Sequence, residues 1–290
     1  MCECLGKFFH LISEYRKAID YHEQSLAISR EISDRLGEGR SLGNLGIAYD
    51  RLAEYRKAIE YHKKSLEIFH EIEDILGLIG SWVNLGGVYE KLGNYKKAID
   101  YHEKSLQLST EINDYSGICK SFASLGLDYY KLNEYEKAIE YYEQALKISR
   151  ERGDSKVEST ILTGLGNTHK MLGDYQKAAE FHEKSLKFKK EIGDRFGEGI
   201  SLGNLGSIYG RLGDYGRAID YQNQSLAISR EIGNRSGEAS CLRDLGSAYY
   251  NSGEREKGCI LLKEALTIFE LIESPDANEI RQIIKENCES

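Results

Sequence analysis

Four histidines, His22, His62, His102 and His182, stand forty residues or a multiple of forty apart. Imidazole is the commonest metal ligand, so a row of histidines first suggests a metal. Zinc needs its ligands at about 2.0–2.1 Å. One histidine per forty-residue copy cannot meet that, because packed helices stand about 10 Å apart. Tyr142 and Gln222 hold the same position in other copies, as residues with a packing role would. His22-Glu23, His102-Glu103 and His182-Glu183 open like a zinc-protease motif but lack its second histidine. No glycine-rich loop ends in Lys-Ser or Lys-Thr, and no serine or cysteine sits in a nucleophile elbow. The residues therefore give no ground for an enzyme, a metal or a cofactor.

The six cysteines show no framework spacing. Cys119, Cys241, Cys259 and Cys288 fall at unrelated positions, and Cys259 replaces an isoleucine-type core residue, which predicts a buried apolar substitute. Unpaired cysteines of this kind suggest a reducing compartment. Cys2-x-Cys4 has no partner pair for a metal half-site. The net charge of −8 speaks against a nucleic-acid partner, which needs a basic surface. No stretch is long and apolar enough to insert in a membrane. Leu5–Ile12 could pass for a signal peptide, but it aligns with Leu45–Leu52. Without a secretory signal, Asn223-Gln224-Ser225 and Asn234-Arg235-Ser236 are chance glycosylation patterns.

What positions these residues is a repeat. Leu45-Gly46-x-x-Tyr49, Glu54-Tyr55, Ala58-Ile59, Tyr61 and Ser65-Leu66 return at Leu85-Gly86, Leu125-Gly126, Leu165-Gly166, Leu205-Gly206 and Leu245-Gly246 without an insertion. A fixed period of this size marks a solenoid. Leu42, Leu45, Gly46, Tyr49 and Leu52 recur at helical steps and predict helix A over about 35–52. Ala58, Ile59, Ser65, Leu66, Phe69 and Ile72 predict helix B over about 55–72. Ala53 and its equivalents Gly93, Asn133, Gly173, Gly213 and Gly253 read as the left-handed cap between them. Asp34, Asp74, Asp114, Asp154, Asp194 and Asn234 read as N-caps of the A helices, and Asn94, Asp174 and Asp214 of B helices. Gly46 and its equivalents lie mid-helix, where glycine costs about 1 kcal/mol against alanine; helices A and B must approach too closely there for a side chain.

The pattern sets a partial repeat at 1–36, which is expected to be the severed end of a longer array. Six full repeats follow at 37–76, 77–116, 117–156, 157–196, 197–236 and 237–276. A capping helix closes the chain at 277–290, entered at Ser274-Pro275 and carrying an Ile280, Ile283 and Ile284 stripe. One continuous solenoid is expected. Gly37–Gly46 matches Gly197–Gly206 except at Arg40 against Ile200.

Trp82-Val83-Asn84-Leu85-Gly86-Gly87-Val88-Tyr89, followed by Ala98, His102 and Ser105, resembles the tetratricopeptide repeat. The longer unit, with Gly-Glu-Gly-x-Ser-Leu-Gly-Asn-Leu-Gly, is similar to repeats of the Pins/LGN G-protein-signalling modulators. The resemblance implies an all-α, right-handed superhelical solenoid of helical hairpins whose A helices line a concave groove for a partner's peptide. It implies a cytoplasmic scaffold or adaptor, at the cell cortex if LGN-like, in signal transduction. This chain departs from that family at Ile47, Gly87, Leu127, Ser207 and Ser247, where only Asn167 keeps the second asparagine, and no GoLoco motif is present. Gly43, Val83 and Ala123 replace the lysine of a chaperone-type carboxylate clamp.

Opposite the core stripe of helix A lie Arg40, Gly43, Asn44, Ile47 and Arg51. The Asn44 position holds Cys4, Asn84, Ser124, Gly164, Asn204 and Asp244 elsewhere; the Arg51 position holds Lys91, Lys131, Met171, Arg211 and Asn251. Asparagine can donate to and accept from an extended backbone, and arginine pairs with carboxylates. Arg40, Asn44, Arg51, Asn84, Lys91, Lys120, Lys131 and Asn204 are thus the candidate partner-binding residues, for an extended and possibly acidic peptide. Two other readings stay open: the Arg51 series as a complement to the helix dipole, and the chain as a structural spacer with no peptide groove in use.

Overall fold

The computed structural model describes residues 2–11 and 14–288. Met1, Ile12, Ser13, Glu289 and Ser290, which belong to the partial repeat and the cap, lie outside the described residues. The described residues form fifteen helices and no strand. The partial repeat is α1 (Cys2–Leu11) and α2 (Tyr15–Glu31). The A helices are α3 (Arg35–Arg51), α5 (Ile75–Lys91), α7 (Tyr115–Lys131), α9 (Ser155–Met171), α11 (Arg195–Arg211) and α13 (Arg235–Asn251). The B helices are α4 (Tyr55–Glu71), α6 (Tyr95–Glu111), α8 (Tyr135–Arg152), α10 (Tyr175–Glu191), α12 (Tyr215–Glu231) and α14 (Arg255–Leu271). The cap is α15 (Asp276–Cys288). Contacts divide the chain into two compact units, 1–148 and 149–290, with the division inside α8. Within each unit successive helices pack on one another, α7 on α8 through the stacked Tyr129 and Tyr141 rings, giving a stack of hairpins.

The helix ends follow from the residues that stop them. Ala53, Gly93, Asn133, Gly173, Gly213 and Gly253 all take the left-handed conformation, with φ between 58° and 101°. Asp34, Asp114, Asp154, Asp194 and Asn234 accept a hydrogen bond from a backbone N–H of the first turn, and Asp74 alone in that series does not. Asn94, Asp174 and Asp214 cap their B helices in the same way.

The mid-helix glycines are packing residues. A Cβ on Gly46 would lie 2.6 Å from the His62 ring, and on Gly86 it would lie 2.3 Å from the His102 ring. Gly6 meets His22, Gly126 meets Tyr142, Gly166 meets His182, and Gly206 meets Gln222 in the same way. The histidine row is therefore a row of flat or slender side chains seated on glycines. Buried serines tie the hairpins as well: Ser65 Oγ donates to Gly39 O at 2.8 Å, and Ser225 Oγ donates to Gly199 O at 2.8 Å. Tyr49 stacks on Tyr61 with centroids 5.2 Å apart, and Tyr209 on Tyr221 at 5.5 Å.

One expectation is corrected. Cys259 and Cys288 form a disulfide between α14 and α15, with Cα atoms 5.6 Å apart. The six cysteines are thus not all unpaired, and the inference of a reducing compartment from their usage falls. Cys288 continues the Ile280–Ile284 stripe of the cap, four residues on, so it shares the face that packs on α14; Cys259 is half-buried opposite it. Not all of the helix-surface charge faces water. Glu38, 7% exposed, accepts from Arg30 Nε at 2.8 Å and Arg35 at 2.5 Å. Arg230 and Arg235 grip Glu238 equivalently. Burial pushes the Glu38 carboxyl up, but the two arginines overcome it and hold it below the usual value.

Candidate partner-binding grooves

With Leu42, Leu45, Gly46 and Ala48 turned into the core of unit 1, α3 presents Arg40, Gly43, Asn44 and Ile47 on its opposite side. Together with Ser65 and Phe69 of α4 and Gly80 and Asn84 of α5, these line a hollow of about 260 Å³. The small residues keep it open: a Cβ on Gly80 would meet nothing within 4 Å. Arg40 is exposed, and Asn44 and Asn84 are half-buried. Glu3 and Lys7 of α1 complete the wall and bond to one another at 2.6 Å. Among the described residues no side-chain hydrogen bond ties up Asn44 or Asn84, and both line the hollow with amide donors and acceptors to offer.

The other candidate residues do not converge there. Lys91 Nζ donates to Asp50 Oδ2 at 2.6 Å, so its charge is already matched across two A helices. Lys131 lies over the Tyr130 ring at 5.9 Å. Arg51 and Lys120 are exposed at the end and middle of their helices and line neither hollow. Asn204 belongs to a second hollow, in unit 2.

That second hollow has a volume of about 290 Å³ and uses the same repeat positions one unit on: Ile200, Gly203, Asn204 and Ser207 of α11, Gln222 and Ser225 of α12, and Ser240, Arg243 and Asp244 of α13. Lys170 of α9 also lines it. Gln222 Nε2 donates to Gly203 O and to Asp244 Oδ2, both at 3.0 Å, and Arg243 Nε donates to Asp244 Oδ1 at 2.8 Å. Single-position series along the sequence passed over Lys170 and Arg243. Reading positions 50 and 51 as neighbours across consecutive repeats finds Lys170, since Asp50 and Lys91 fix that pairing.

One cluster has the form of a catalytic dyad. His102 Nδ1 and Asp128 Oδ2 share a hydrogen bond of 2.6 Å, with side chains 2% and 0% exposed. Burial pushes the Asp128 carboxyl up, partly offset by His102, and raises the neighbouring Glu90 carboxyl, which Asp128 pushes further in the same direction. The dyad is sealed under Gly86 and reaches neither hollow, so it is a packed polar pair. Among the described residues no group of three or more His, Cys, Asp and Glu is placed to hold a metal ion. No helix among them is long and apolar enough to cross a membrane.

Stacked antiparallel hairpins with glycine-seated rings and a polar A-helix face define a protein-interaction repeat. The tetratricopeptide repeat family model matches residues 3–71, 78–151, 121–191 and 197–271, and the chain belongs to that family. G-protein-signaling modulator 1 of Homo sapiens is 40% identical over 42 residues, a match spanning 14% of this chain and 6% of that protein. Two solved structures share the fold. The signal transduction ATPase with numerous domains and a tetratricopeptide repeat sensor, from Pyrococcus horikoshii, superposes with a TM-score of 0.75 at 22% identity, over 96% of this chain and 42% of that one. The apo form of RapI superposes with a TM-score of 0.73 at 17% identity, over 98% of both chains.

Proposed function

We propose that this scaffold captures an extended, acidic segment of a partner protein in the unit 1 hollow, as a noncatalytic adaptor of Pins/LGN type. The convergence of Arg40, Asn44 and Asn84 on one hollow carries the reading. Two asparagines with unspent donors and acceptors suit a peptide backbone, and an exposed arginine beside them suits a carboxylate. The short similarity to G-protein-signaling modulator 1 supports the subfamily. The cytoplasmic, cortical location rests on that similarity alone, now that the cysteines no longer argue for it.

A random peptide library displayed against the full chain tests this. Enriched peptides are expected to be rich in Asp and Glu and without helical periodicity, and to weaken as salt rises. They should bind at least tenfold less to the combined Arg40→Glu, Asn44→Ala, Asn84→Ala variant, with its helical circular dichroism unchanged. Enrichment of basic or neutral peptides defeats the acidic preference. Equal binding to wild type and variant defeats the site, and a selection that enriches no peptide leaves the spacer reading.

A further inference from the structure

In unit 1 two neighbouring A helices balance a charge between them. Asp50 on α3 meets Lys91 on α5 in an ion pair of 2.6 Å. Three repeats on, in unit 2, the same two repeat positions hold Lys170 on α9 and Arg211 on α11. The carboxylate has become a lysine, and the pair is now two like charges. Lys170 is half-buried, and neither it nor Arg211 forms an ion pair among the described residues. Arg243 adds a third cation, with its side chain 30% exposed. The carboxylate that acts on Lys170 is Asp244, already engaged by Arg243 and Gln222, while Asp276 and Glu279 of α15 act on Arg243 as well. Burial pushes the Lys170 ammonium down; Asp244 opposes this, while Arg211 and Arg243 add to it. A half-buried cation facing further cations is costly to keep, and such a site is what a bound anion would complement.

The shape of the hollow restricts the anion. Lys170, Arg243, Asn204 and Ser207 supply donors, while Ile200 and Phe196 give an apolar rim, 41% and 56% exposed. Lys170 is the cation of the lining that has no ion-pair partner among the described residues, and Arg211 beside it has none either, so their charge is open to an incoming anion. A phosphate monoester carries close to two negative charges at pH 7 on three acceptor oxygens, and arginine matches phosphate in bidentate fashion.

We propose that the unit 2 hollow is a binding site for a phosphate monoester attached to an apolar group, with Lys170 and Arg243 holding the phosphate, Arg211 adding charge from the side, and Ile200 and Phe196 receiving the apolar part. The phosphate could be carried on a side chain of a partner protein or on a small organic ester; the chemistry recognised is the same. The site shares no residue with the Arg40 hollow and does not rest on the function proposed for it.

Calorimetric titration of the full chain with phenyl phosphate, inorganic phosphate and benzoate tests the site, alongside an array of phosphoserine peptides and their unphosphorylated counterparts. Phenyl phosphate is expected to bind saturably, at least tenfold more tightly than benzoate. Its affinity should fall as pH drops through about 6, where the second phosphate proton returns. Lys170→Met and Arg243→Met should each weaken binding about tenfold, while Arg40→Glu leaves it unchanged. Selective capture of phosphopeptides assigns the phosphate to a protein partner; phenyl phosphate binding without such capture assigns it to a small ester. Lys170→Met without ligand should raise Tm by about 2 °C, since it removes the like charge. Absence of saturable phosphate binding, binding indifferent to Lys170→Met and Arg243→Met, or benzoate binding as tightly as phenyl phosphate overturns the proposal.

Discussion

The two units are built from copies of one repeat and differ in how they are held. Gly37–Gly46 and Gly197–Gly206 differ only at Arg40 and Ile200, and each helps line a hollow of similar size, about 260 and 290 Å³. Under their glycines, however, unit 1 seats His22, His62, His102 and Tyr142, whereas unit 2 seats His182, Gln222 and Leu262. At the left-handed junctions, unit 1 uses Ser33, Ala53, Glu73, Asn113 and Asn133 with Gly93, and unit 2 uses Gly153, Gly173, Gly193, Gly213 and Gly233 and Gly253 with Glu273. Duplication thus preserved the apolar contacts that define the hairpin, while the polar residues beneath and between helices drifted. Unit 1 carries more buried titratable rings and more backbone strain; unit 2 carries the unbalanced charge.

The largest expected consequence is a difference in acid sensitivity. Burial lowers the pKa of His22 and His62 to about 4 and that of His182 to about 3. A histidine depressed in the folded state binds a proton first in the unfolded chain. Its contribution is therefore intact above about pH 6.5 and is lost as pH falls toward 4, at about 1.4 kcal/mol per pH unit per histidine. Asp128 and Glu90 in unit 1, raised by burial, act in the opposite sense, so the difference is read from a substitution. Replacing His62→Gln, the residue unit 2 uses at Gln222, should flatten the dependence of urea-unfolding stability between pH 6.5 and 4.5 by about 1.4 kcal/mol per unit. Equal slopes for wild type and variant would remove His62 from the account.

Packing on the glycines gives the next effect. Gly46→Ala drives a methyl into the His62 ring, and Gly206→Ala drives one into the Gln222 chain at 2.7 Å. Overpacking costs about 1–3 kcal/mol. The rigid ring should place Gly46→Ala at the upper end and the rotatable glutamine should place Gly206→Ala at the lower, with His62→Ala restoring most of the loss in the double variant. Thermal unfolding of the four proteins checks this. Equal costs at the two glycines would show that ring and chain yield alike, and a cost unrelieved in the double variant would show that His62 is not what the methyl strikes.

What the sequence makes legible is what repeats. The helix limits, the caps and the glycine contacts recur at one position in every copy, so each copy checks the others. Arg40, Asn44 and Asn84 came together because they occupy one face of neighbouring A helices. Lys91 did not remain free, because its partner Asp50 lies 41 residues back and no single series contains both. Lys170 and Arg243 were hidden because their positions vary from copy to copy: Asp50, Glu90, Tyr130, Lys170, Gly210 and Tyr250 in one series, and Gly43, Val83, Ala123, Thr163, Gly203 and Arg243 in the other. The Cys259–Cys288 bridge occurs once, between a repeat and a cap that is not a repeat, so periodicity had nothing to say about it. Glu38 looks like any exposed helix charge until Arg30, from the preceding hairpin, is seen to reach it.

The junctions give the smallest effect and the sharpest contrast in direction. A side chain with a Cβ in the left-handed region costs about 1–2 kcal/mol relative to a right-handed one, and glycine escapes most of that cost. Glu73, at φ 56°, and Ala53, at φ 58°, accept it in unit 1. Gly173 and Gly213, at φ 80° and 78°, avoid it in unit 2, with open space around a would-be Cβ. Glu73→Gly and Ala53→Gly should therefore stabilise the chain by up to about 1 kcal/mol each, reduced by the extra freedom glycine gives the unfolded state. Gly173→Ala and Gly213→Ala should destabilise it by about as much, through backbone strain alone, since no neighbour is struck. Urea unfolding of these four variants at one pH reads the signs directly. If the glycine substitutions in unit 1 also destabilise, unfolded-state entropy outweighs the strain, and the junctions of the two units are equivalent in energy despite their different residues.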